Sequence, residues 1–316
     1  MSEPLGPPSG FRIGHWTDEV GRTGCTVVIA PEGTRGGVDV RGGGPGTRET
    51  DVVSPMAGTD RVSAVMFAGG SAYGLAAADG AMRWLEEHGI GYPTPAALVP
   101  IVPAAIAYDL AEGDAAARPT ADSGYAACEA AREGVPVRGR VGAGTGTAAG
   151  KVLGRGAATP SGVGYAATRG GFGSTVAALA VANPFGDVIA ADGSVLAGAR
   201  GDDSTRTVDF IAGLDRAPTA EELEARNTTL VCVMTDANLD KTGCTRVARA
   251  ACAGVARAVE PVFTDVDGDV VFCLASGEGE AAGRFELLQL ASLTAQVTAE
   301  AIRDAVTSVR EAASSD

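Results

Sequence analysis

The residues best able to do chemistry surround Thr228, in the run Asn227-Thr228-Thr229-Leu230. A charged segment, residues 201–226, precedes this run and is expected to be exposed, and the apolar strand-like run 229–234 follows it. A threonine at a free N-terminus can use its own α-amino group as general base, because the pKa of that group is about 8. Thr228 gains such an amine only if the chain is cut between Asn227 and Thr228. The layout therefore favours a self-exposed nucleophile anchored at the start of a strand.

Histidine offers no recognisable alternative base. The chain has two histidines, His15 and His88, and neither stands in the context of a Ser-His-Asp triad. The run Gly69-Gly70-Ser71-Ala72-Tyr73 lacks the last glycine of a nucleophile elbow. An amide hydrolase built on this chain would therefore need a base other than histidine.

Motifs for cofactors and metals fail on spacing. Residues 144–151 resemble a phosphate-binding loop, but five residues separate the glycines where four are needed, and Val152 replaces the required hydroxyl residue. Residues 265–269 begin like a calcium loop, but the loop glycine would fall at Val270 and the bidentate glutamate at Ser276. The six cysteines form no C-x-x-C pair, which is typical of buried free thiols. We expect no metal ion and no organic cofactor.

Charge and composition limit the partners. The net charge of −14 disfavours nucleic acid and anionic membrane surfaces, since both repel an acidic protein. No apolar run reaches the roughly 18 to 20 residues that span a bilayer, and no secretory pattern stands at the N-terminus. The apolar fraction of 45% is that of an ordinary globular chain. We expect a cytoplasmic protein whose partner is a small molecule.

The surrounding pattern predicts the elements that position these residues. Short β-rich runs and glycine turns fill the first third, a helix follows the turn at residues 69–71, and a second helix covers 123–133. Later, strands at 229–234 and 270–275 alternate with helices at 241–259 and 284–310. Strands mixed with long amphipathic helices, without strict alternation, favour a layered α/β architecture in which helices cover stacked sheets. We expect one domain over residues 1–316.

Several motifs, in their shared order, resemble one known family. The chain is similar to the L-aminopeptidase/D-esterase family of self-processing N-terminal-nucleophile hydrolases and, within it, to the nylon-oligomer (6-aminohexanoate oligomer) endo-hydrolases. The motifs that carry the resemblance are Asn227-Thr228-Thr229-Leu230, Asp240-Lys241-Thr242, Asp267-Gly268-Asp269, and the stretches 37–43, 45–51, 69–75, 102–105, 141–146, 150–151 and 253–261. The resemblance implies an αββα sandwich of the N-terminal-nucleophile type.

The resemblance also implies roles for individual residues. Thr228 matches the nucleophile freed by cleavage after Asn227; the aminopeptidase branch usually has serine there, so threonine favours the nylon-oligomer branch. Asp267 and Asp269 match the acidic pair that orients the nucleophile and its new amine. Without the resemblance, Asp-Gly-Asp before a strand would indicate a turn, and a threonine starting a strand would indicate β propensity.

Three further positions are carried over in the same way. Lys151 matches a lysine near the cleavage point, Asn183 matches the amide that stabilises the oxyanion, and Tyr108 matches an aromatic residue that lines the substrate pocket. Each has a structural alternative: a solvated loop charge for Lys151, a turn before Pro184 for Asn183, and a core aromatic for Tyr108.

The resemblance implies fragments 1–227 and 228–316 that stay associated, in a homo-oligomer, a tetramer, of processed heterodimers. The expected substrate is a small amide or peptide. Two alternatives remain open: an acyltransferase of the ornithine acetyltransferase type, which passes the acyl group to an amine, and a binding protein that keeps the fold but does not process.

Overall fold

Two five-stranded sheets lie face to face between helices in this computed structural model, which describes residues 4–201, 205–216 and 227–314. In chain order the strands are β1 (Arg12–Asp18), β2 (Thr23–Ile29), β3 (Arg35–Val40), β4 (Thr47–Arg48), β5 (Ala64–Ala68), β6 (Tyr92–Pro93), β7 (Leu98–Val99), β8 (Ala104–Ile106), β9 (Ala148–Ala149), β10 (Thr159–Pro160), β11 (Val163–Arg169), β12 (Thr175–Asn183), β13 (Asp187–Ile189), β14 (Val195–Ala197), β15 (Thr228–Thr235), β16 (Val259–Glu260) and β17 (Val270–Ala275). The helices are α1 (Ala77–Glu87), α2 (Ala121–Glu129), α3 (Thr207–Ala212), α4 (Lys241–Ala258) and α5 (Arg284–Ala313).

The first sheet has the strand order β1-β2-β5-β8-β4, and the second has the order β11-β12-β15-β17-β3. Smaller sheets pair β9 with β10, β6 with β7, and β13 with β14 and β16. In the second sheet β15 runs antiparallel to β12 and parallel to β17. The central position of β15 means that backbone hydrogen bonds hold it on both edges.

Strand β15 is buried on both faces because its side chains alternate between two cores. Leu230, Cys232 and Met234 point into the core between the two sheets, while Val231 and Val233 point into the core beneath α4 and α5. A third core lies between the first sheet and the helices α1 and α2. The layers are therefore helix, sheet, sheet and helix, as the pattern of strands and amphipathic helices predicts.

Most element boundaries agree with the sequence predictions to within a few residues. The strand predicted at 270–275 is β17, and the strand predicted at 229–234 is one residue longer at each end. Helix α4 ends at Ala258, one residue before its predicted end, because Val259 turns into β16 and pairs with Val188. The predicted helix over 123–133 is α2, which begins and ends earlier, at Ala121 and Glu129.

The segment predicted as an exposed connector, 201–226, contains a short helix. Helix α3 is fixed at its start, where the Asp187 carboxylate accepts hydrogen bonds from the Thr207 backbone N–H at 2.8 Å and from its hydroxyl at 2.7 Å. Thr207 is buried, so this part of the segment packs onto the body of the protein. Residues 202–204 and 217–226 of the connector lie outside the described residues.

Among the residues that the structure describes, no helix combines the length and the apolar character that a bilayer crossing requires.

Glycines allow α1 and α2 to approach very closely. A Cβ atom built at Gly124 in α2 would lie 1.8 Å from the carbonyl oxygen of Ala77 in α1, and one at Gly80 would lie 1.6 Å from the carbonyl oxygen of Ala121. Both distances are far below any real contact, so the two backbones can pack in this way only without side chains at these positions.

We expect Gly124→Ala to lower the stability of the protein. In an open helix the change would stabilise by roughly 0.5 to 1 kcal/mol, but forcing atoms into a packed interface costs about 1 to 3 kcal/mol or more. The melting temperature, followed by circular dichroism, should therefore fall. Gly58→Ala is the control, since a Cβ atom there meets no atom within 4 Å. An unchanged or raised melting temperature for Gly124→Ala would contradict the packing described.

Candidate active site

The predicted site residues converge at the first residue of β15. Thr228 lies opposite Asn183, the last residue of β12, in the antiparallel register. On the other side Asn227 forms a parallel bridge with Asp267, just before β17. Thr228, Asn183 and Asp267 are all buried, as are Asp269 and Lys151. The sheet therefore brings together residues that are up to 118 positions apart, from Lys151 to Asp269.

The peptide unit between Asn227 and Thr228 is intact and held by two donors. The Thr228 hydroxyl donates a hydrogen bond to the carbonyl oxygen of Asn227. The backbone N–H of Gly268 donates to the same oxygen at 2.7 Å. Two donors on one carbonyl oxygen draw electron density away from its carbon. The hydroxyl of Thr228 is thus in contact with a carbonyl group that is already polarised.

Both carboxylates of the predicted acidic pair accept hydrogen bonds from the surrounding chain. Asp269 Oδ1 accepts from the Thr229 N–H at 2.6 Å, and Oδ2 accepts from the Phe263 N–H at 3.2 Å. Asp267 Oδ1 accepts from the Phe185 N–H at 3.1 Å, and Oδ2 accepts from the Thr264 hydroxyl. The pair is therefore fixed in direction on either side of Gly268.

The two carboxylates are unfavourably placed for full ionisation. Burial raises the pKa of Asp267, and the nearby charge of Lys151 opposes that rise in part. Burial, together with the negative charge of Asp267, raises the pKa of Asp269 to about 7. In the uncut chain, the positive charge near these two carboxyl groups is therefore too small to stabilise both of them in the ionised form.

Lys151 is a buried lysine, not a solvated loop charge. Its ammonium group donates to the carbonyl oxygens of Asn183 at 2.7 Å and Pro184 at 3.2 Å. Gly150, with φ of +71°, makes the turn that brings it there; a Cβ atom at that glycine would lie 2.3 Å from the backbone nitrogen of Ala199. Lys151 thus fixes the end of β12 and supplies positive charge near Asp267.

The side-chain amide of Asn183 links two other segments to the site. Its Oδ1 accepts from the Ala148 N–H at 3.2 Å, and its Nδ2 donates to the carbonyl oxygen of Tyr108 at 3.2 Å. An amide nitrogen carries two N–H donors, and this bond occupies one of them. Tyr108 thus contacts the site through its backbone carbonyl oxygen, and the residue is half-buried. That its ring lines the substrate pocket stays a prediction.

Sequence reasoning missed the glycine loop that supports the acidic pair. A Cβ atom at Gly42 would lie 2.2 Å from the carbonyl oxygen of Asp267, and the Gly44 N–H donates to that oxygen at 2.8 Å. The run of glycines at 42–44 indicates a tight turn in the sequence, but only the fold shows what it packs against. Gly268 was also missed as a hydrogen-bond donor, since it stands in the motif only as the residue between two aspartates.

The two histidines make their contacts elsewhere. The Nδ1 atom of His15 lies 2.9 Å from the Thr26 hydroxyl, and burial lowers the pKa of this histidine to about 4. His88 bonds the carbonyl oxygen of Trp84 at 2.7 Å and stacks on that ring. Within the described parts of the chain, no cluster of three or more His, Cys, Asp or Glu side chains has the arrangement of a metal site.

Comparison with known sequences gives one family and several relatives. The model of a family described as Peptidase family S58 matches residues 9–316. An uncharacterized aminopeptidase of Mycobacterium leprae is 44% identical over 299 residues, which are 86% of this chain and 78% of that protein. A 6-aminohexanoate-oligomer endohydrolase of an Agromyces species is 31% identical over 94% of this chain and 84% of its own length.

Solved structures share the fold at lower identity. The L-aminopeptidase D-Ala-esterase/amidase of Ochrobactrum anthropi, described as a variant of the Ntn hydrolase fold, aligns with a TM-score of 0.73 at 18% identity, over 96% of this chain and 88% of that one. A β-aminopeptidase of a Burkholderia species aligns with a TM-score of 0.71 at 21% identity, over 94% of this chain and 84% of that one. The predicted fold class, a layered sandwich of the N-terminal-nucleophile type, is confirmed.

We expect the raised pKa of Asp269 to make the uncut chain lose stability as the pH rises. The pKa of this carboxyl group is about 7 in the folded chain and about 4 in the unfolded chain. Its contribution to the free energy of unfolding is therefore complete below about pH 4 and is lost as the pH rises toward 7. In a chain carrying Thr228→Ala, Asp269→Asn should make this fall smaller.

Urea unfolding between pH 4 and 8 measures the effect. Asp265→Asn is the control, because Asp265 is an exposed carboxylate in the same loop. If the free energy of unfolding depends on pH in the same way in both variants and in the parent, the pKa of Asp269 is the same in the folded and the unfolded chain. The prediction would then be wrong.

Proposed function

The chain belongs to peptidase family S58, and we propose that it is an amide hydrolase that activates itself by cutting its own backbone between Asn227 and Thr228. The family resemblance seen in the motifs is thereby confirmed, and with it a hydrolase that acts on amide or peptide bonds. The observation that carries the proposal for Thr228 is the peptide unit described above. Its carbonyl oxygen accepts from both the Thr228 hydroxyl and the Gly268 N–H.

In the proposed cleavage, the Thr228 oxygen attacks the carbonyl carbon of Asn227. The Gly268 N–H stabilises the negative charge that develops on the carbonyl oxygen. The C–N bond then breaks, the proton that the Thr228 hydroxyl loses is transferred to the Thr228 nitrogen, and the Asn227 acyl group stays on the threonine oxygen as an ester. Water hydrolyses the ester and leaves the carboxylate of Asn227 and the free amine and hydroxyl of Thr228.

The two fragments, 1–227 and 228–316, would stay together because β15 is central in its sheet. It keeps its hydrogen bonds to β12 in the first fragment after the cut. Burying a side chain such as Leu230 or Met234 contributes roughly 1.5 to 3 kcal/mol, and both belong to the core shared with the first sheet. Separation would expose all of these side chains to water.

In the proposed turnover, the new amine of Thr228 is the general base. It takes the proton of the hydroxyl, the oxygen attacks a substrate amide, and the amine of the leaving group departs with that proton. Water then hydrolyses the acyl-enzyme and restores the hydroxyl. The second side-chain N–H of Asn183, which the bond to Tyr108 does not use, is the proposed donor to the oxyanion of the substrate, since this residue lies opposite Thr228.

The proposal gives the acidic pair a clear electrostatic role. Cleavage converts a neutral amide nitrogen into an amine that is protonated in part near neutral pH. A positive charge at Thr228, one residue from the bond between the Thr229 N–H and Asp269, would favour the ionised form of that carboxylate. The cut would thus supply the positive charge that the uncut site lacks.

The names of the relatives support a class of substrate. We propose a small peptide or amide oligomer as substrate, since the named relatives include an aminopeptidase and a 6-aminohexanoate-oligomer endohydrolase. Threonine at position 228 favours the second type. We further propose a cytoplasmic homo-oligomer of processed heterodimers, by analogy with the family. Hydrolysis in the presence of an added amine tests the acyltransferase alternative, which requires transfer to the amine to exceed release to water.

We expect purified protein to give two fragments on a denaturing gel, and Thr228→Ala to give one full-length band. Alanine has no oxygen with which to attack Asn227. Thr228→Ser should still be cut, because it keeps a hydroxyl group at the same position. Intact mass spectrometry and N-terminal sequencing, which should find a terminus beginning Thr-Thr-Leu, measure the cut.

Thr229→Ser is the matched control for the neighbouring hydroxyl and should process normally. Wild-type protein that stays in one full-length piece after prolonged incubation would refute self-activation and favour the non-processing binding protein.

We expect Lys151→Met to slow both cleavage and substrate turnover by roughly 10-fold or more. The change removes a buried positive charge and two hydrogen bonds, each of which contributes about 1.5 to 3 kcal/mol when one partner is charged. The rate at which the full-length chain is converted into two fragments measures cleavage, and the rate of amide hydrolysis measures turnover. Lys241→Met is the control, since Lys241 donates to the carbonyl oxygens of Val52, Ala57 and Thr59 and lies at the start of α4. Equal losses of rate in the two variants would mean that Lys151 contributes to stability alone and has no specific role in the site.

A further inference from the structure

A pocket of about 350 Å³ lies beside β9 and β10 and is lined by Ala148 and Pro160 of these strands. Arginine side chains dominate its wall: Arg22, Arg140, Arg155 and Arg200. One acidic side chain, Glu112, lines it as well. Four positive charges around one cavity are unusual in a chain whose net charge is −14, so general composition does not explain them.

Arg155 is the most buried of these side chains, at 10% exposed. Its Nε donates to Glu112 Oε1 at 2.6 Å, and its Nη2 donates to the carbonyl oxygen of Gly146 at 2.9 Å. Its Nη1 atom is buried and has no hydrogen-bond partner among the residues that the structure describes. A buried guanidinium nitrogen without an acceptor is costly, so the described residues leave a donor in the pocket that a ligand can satisfy.

Among the described residues that line the pocket, one carboxylate stands against four guanidinium groups. Glu112 forms its short ion pair with Arg155 and lies 3.9 Å from Arg140. Burial and the neighbouring charge of Arg22 lower the pKa of Arg140, and Glu112 offsets this only in part. The pocket therefore favours an anion, and guanidinium groups match the two oxygens of a carboxylate in particular.

Two hydrogen-bonded links connect this pocket to the site around Thr228. Ala148 lines the pocket, and its N–H donates to the side chain of Asn183, which lies opposite Thr228. The carbonyl oxygen of Tyr108 accepts from the same side chain, and Tyr108 directly precedes the turn from Asp109 to Glu112. The wall of the pocket is thus linked through one side chain to the residue that lies opposite Thr228.

We propose that this arginine pocket binds a carboxylate of the peptide or amide-oligomer substrate and so holds the chain on the far side of the scissile bond. The inference rests on the proposed function, because it assigns the pocket to a substrate of the same enzyme. The carboxylate can come from the C-terminus of the substrate or from an acidic side chain within it. The pocket would then select short substrates that carry a negative charge a few residues from the cleaved amide.

Paired peptides test the proposal. Trialanine, its C-terminal amide, and alanyl-alanyl-glutamate with an amidated C-terminus are compared in two assays. Calorimetry on the Thr228→Ala chain measures binding without cleavage, and kcat/KM on the wild-type enzyme measures turnover. Trialanine should bind about 10- to 100-fold more tightly than its amide and show a similar preference in turnover, as expected for one charge-assisted contact. If only the glutamate peptide binds more tightly than the trialanine amide, the pocket binds an acidic side chain of the substrate and not its C-terminus.

Variants place the effect in the pocket. Arg155→Gln should bring the ratio of the affinities for trialanine and its amide close to one. Arg200→Gln should lower this ratio without lowering stability, because Arg200 is exposed. Arg169→Gln is the matched control, because Arg169 is an exposed arginine at the far end of β11 and its loss changes the net charge equally. That variant should keep the wild-type ratio.

The outcomes separate the pocket from the proposed function. Equal binding of all three peptides, absence of binding, or the same ratio in Arg155→Gln and Arg169→Gln would overturn the pocket proposal even in a processed, active enzyme. A chain that is never cut and hydrolyses no amide would overturn the proposed function, while calorimetry on the Thr228→Ala chain would still show whether the arginines bind a carboxylate.

Discussion

The position of β15 at the centre of the second sheet is the constraint on which the site depends. Backbone hydrogen bonds hold this strand to β12 and β17, and its side chains are buried on both faces. Its first residue, Thr228, therefore has almost no freedom to move. The same pairing places Asn183 on one side and Asp269 on the other, so the geometry of the site follows from the register of three strands. A site on rigid strands is held more accurately than one on loops.

Electrostatics then decides how such a site can be stable. The carboxylates of Asp267 and Asp269 and the ammonium group of Lys151 are buried in the same site as an uncharged peptide unit. Burying unbalanced charge is unfavourable. Backbone N–H groups offset part of the cost by donating to both carboxylates. The remaining imbalance appears as the raised pKa of Asp269. In the proposed mechanism this imbalance is useful, because the uncut chain is prepared for a positive charge that only cleavage can create.

Local sequence patterns predicted the elements well and the contacts between them poorly. The strand at 270–275 and the helices around 241–258 and 284–313 follow from apolar periodicity, which is a local signal. The end of α4 was less predictable, because Val259 leaves the helix to pair with Val188, a residue 71 positions earlier. Convergence of Lys151, Asn183 and Asp267 came from the family resemblance, since no local pattern shows which strands are neighbours. Gly42 and Gly268 show the same limit, because their importance lies in what their backbones approach.

Under the proposed function, the amide of Asn183 would connect catalysis to substrate selection. One end of this side chain is held by Ala148, on the wall of the arginine pocket, and the other by Tyr108, which directly precedes the turn that carries Glu112. A ligand that draws Arg155 away from Glu112 would act on that turn and hence on the carbonyl that orients Asn183. Under the proposed function, a ligand in the pocket would therefore also act on the alignment of Asn183, which lies opposite Thr228. In such an arrangement the contact with a distant carboxylate favours the transition state as well as binding, because it orients a group that acts at the reacting carbonyl.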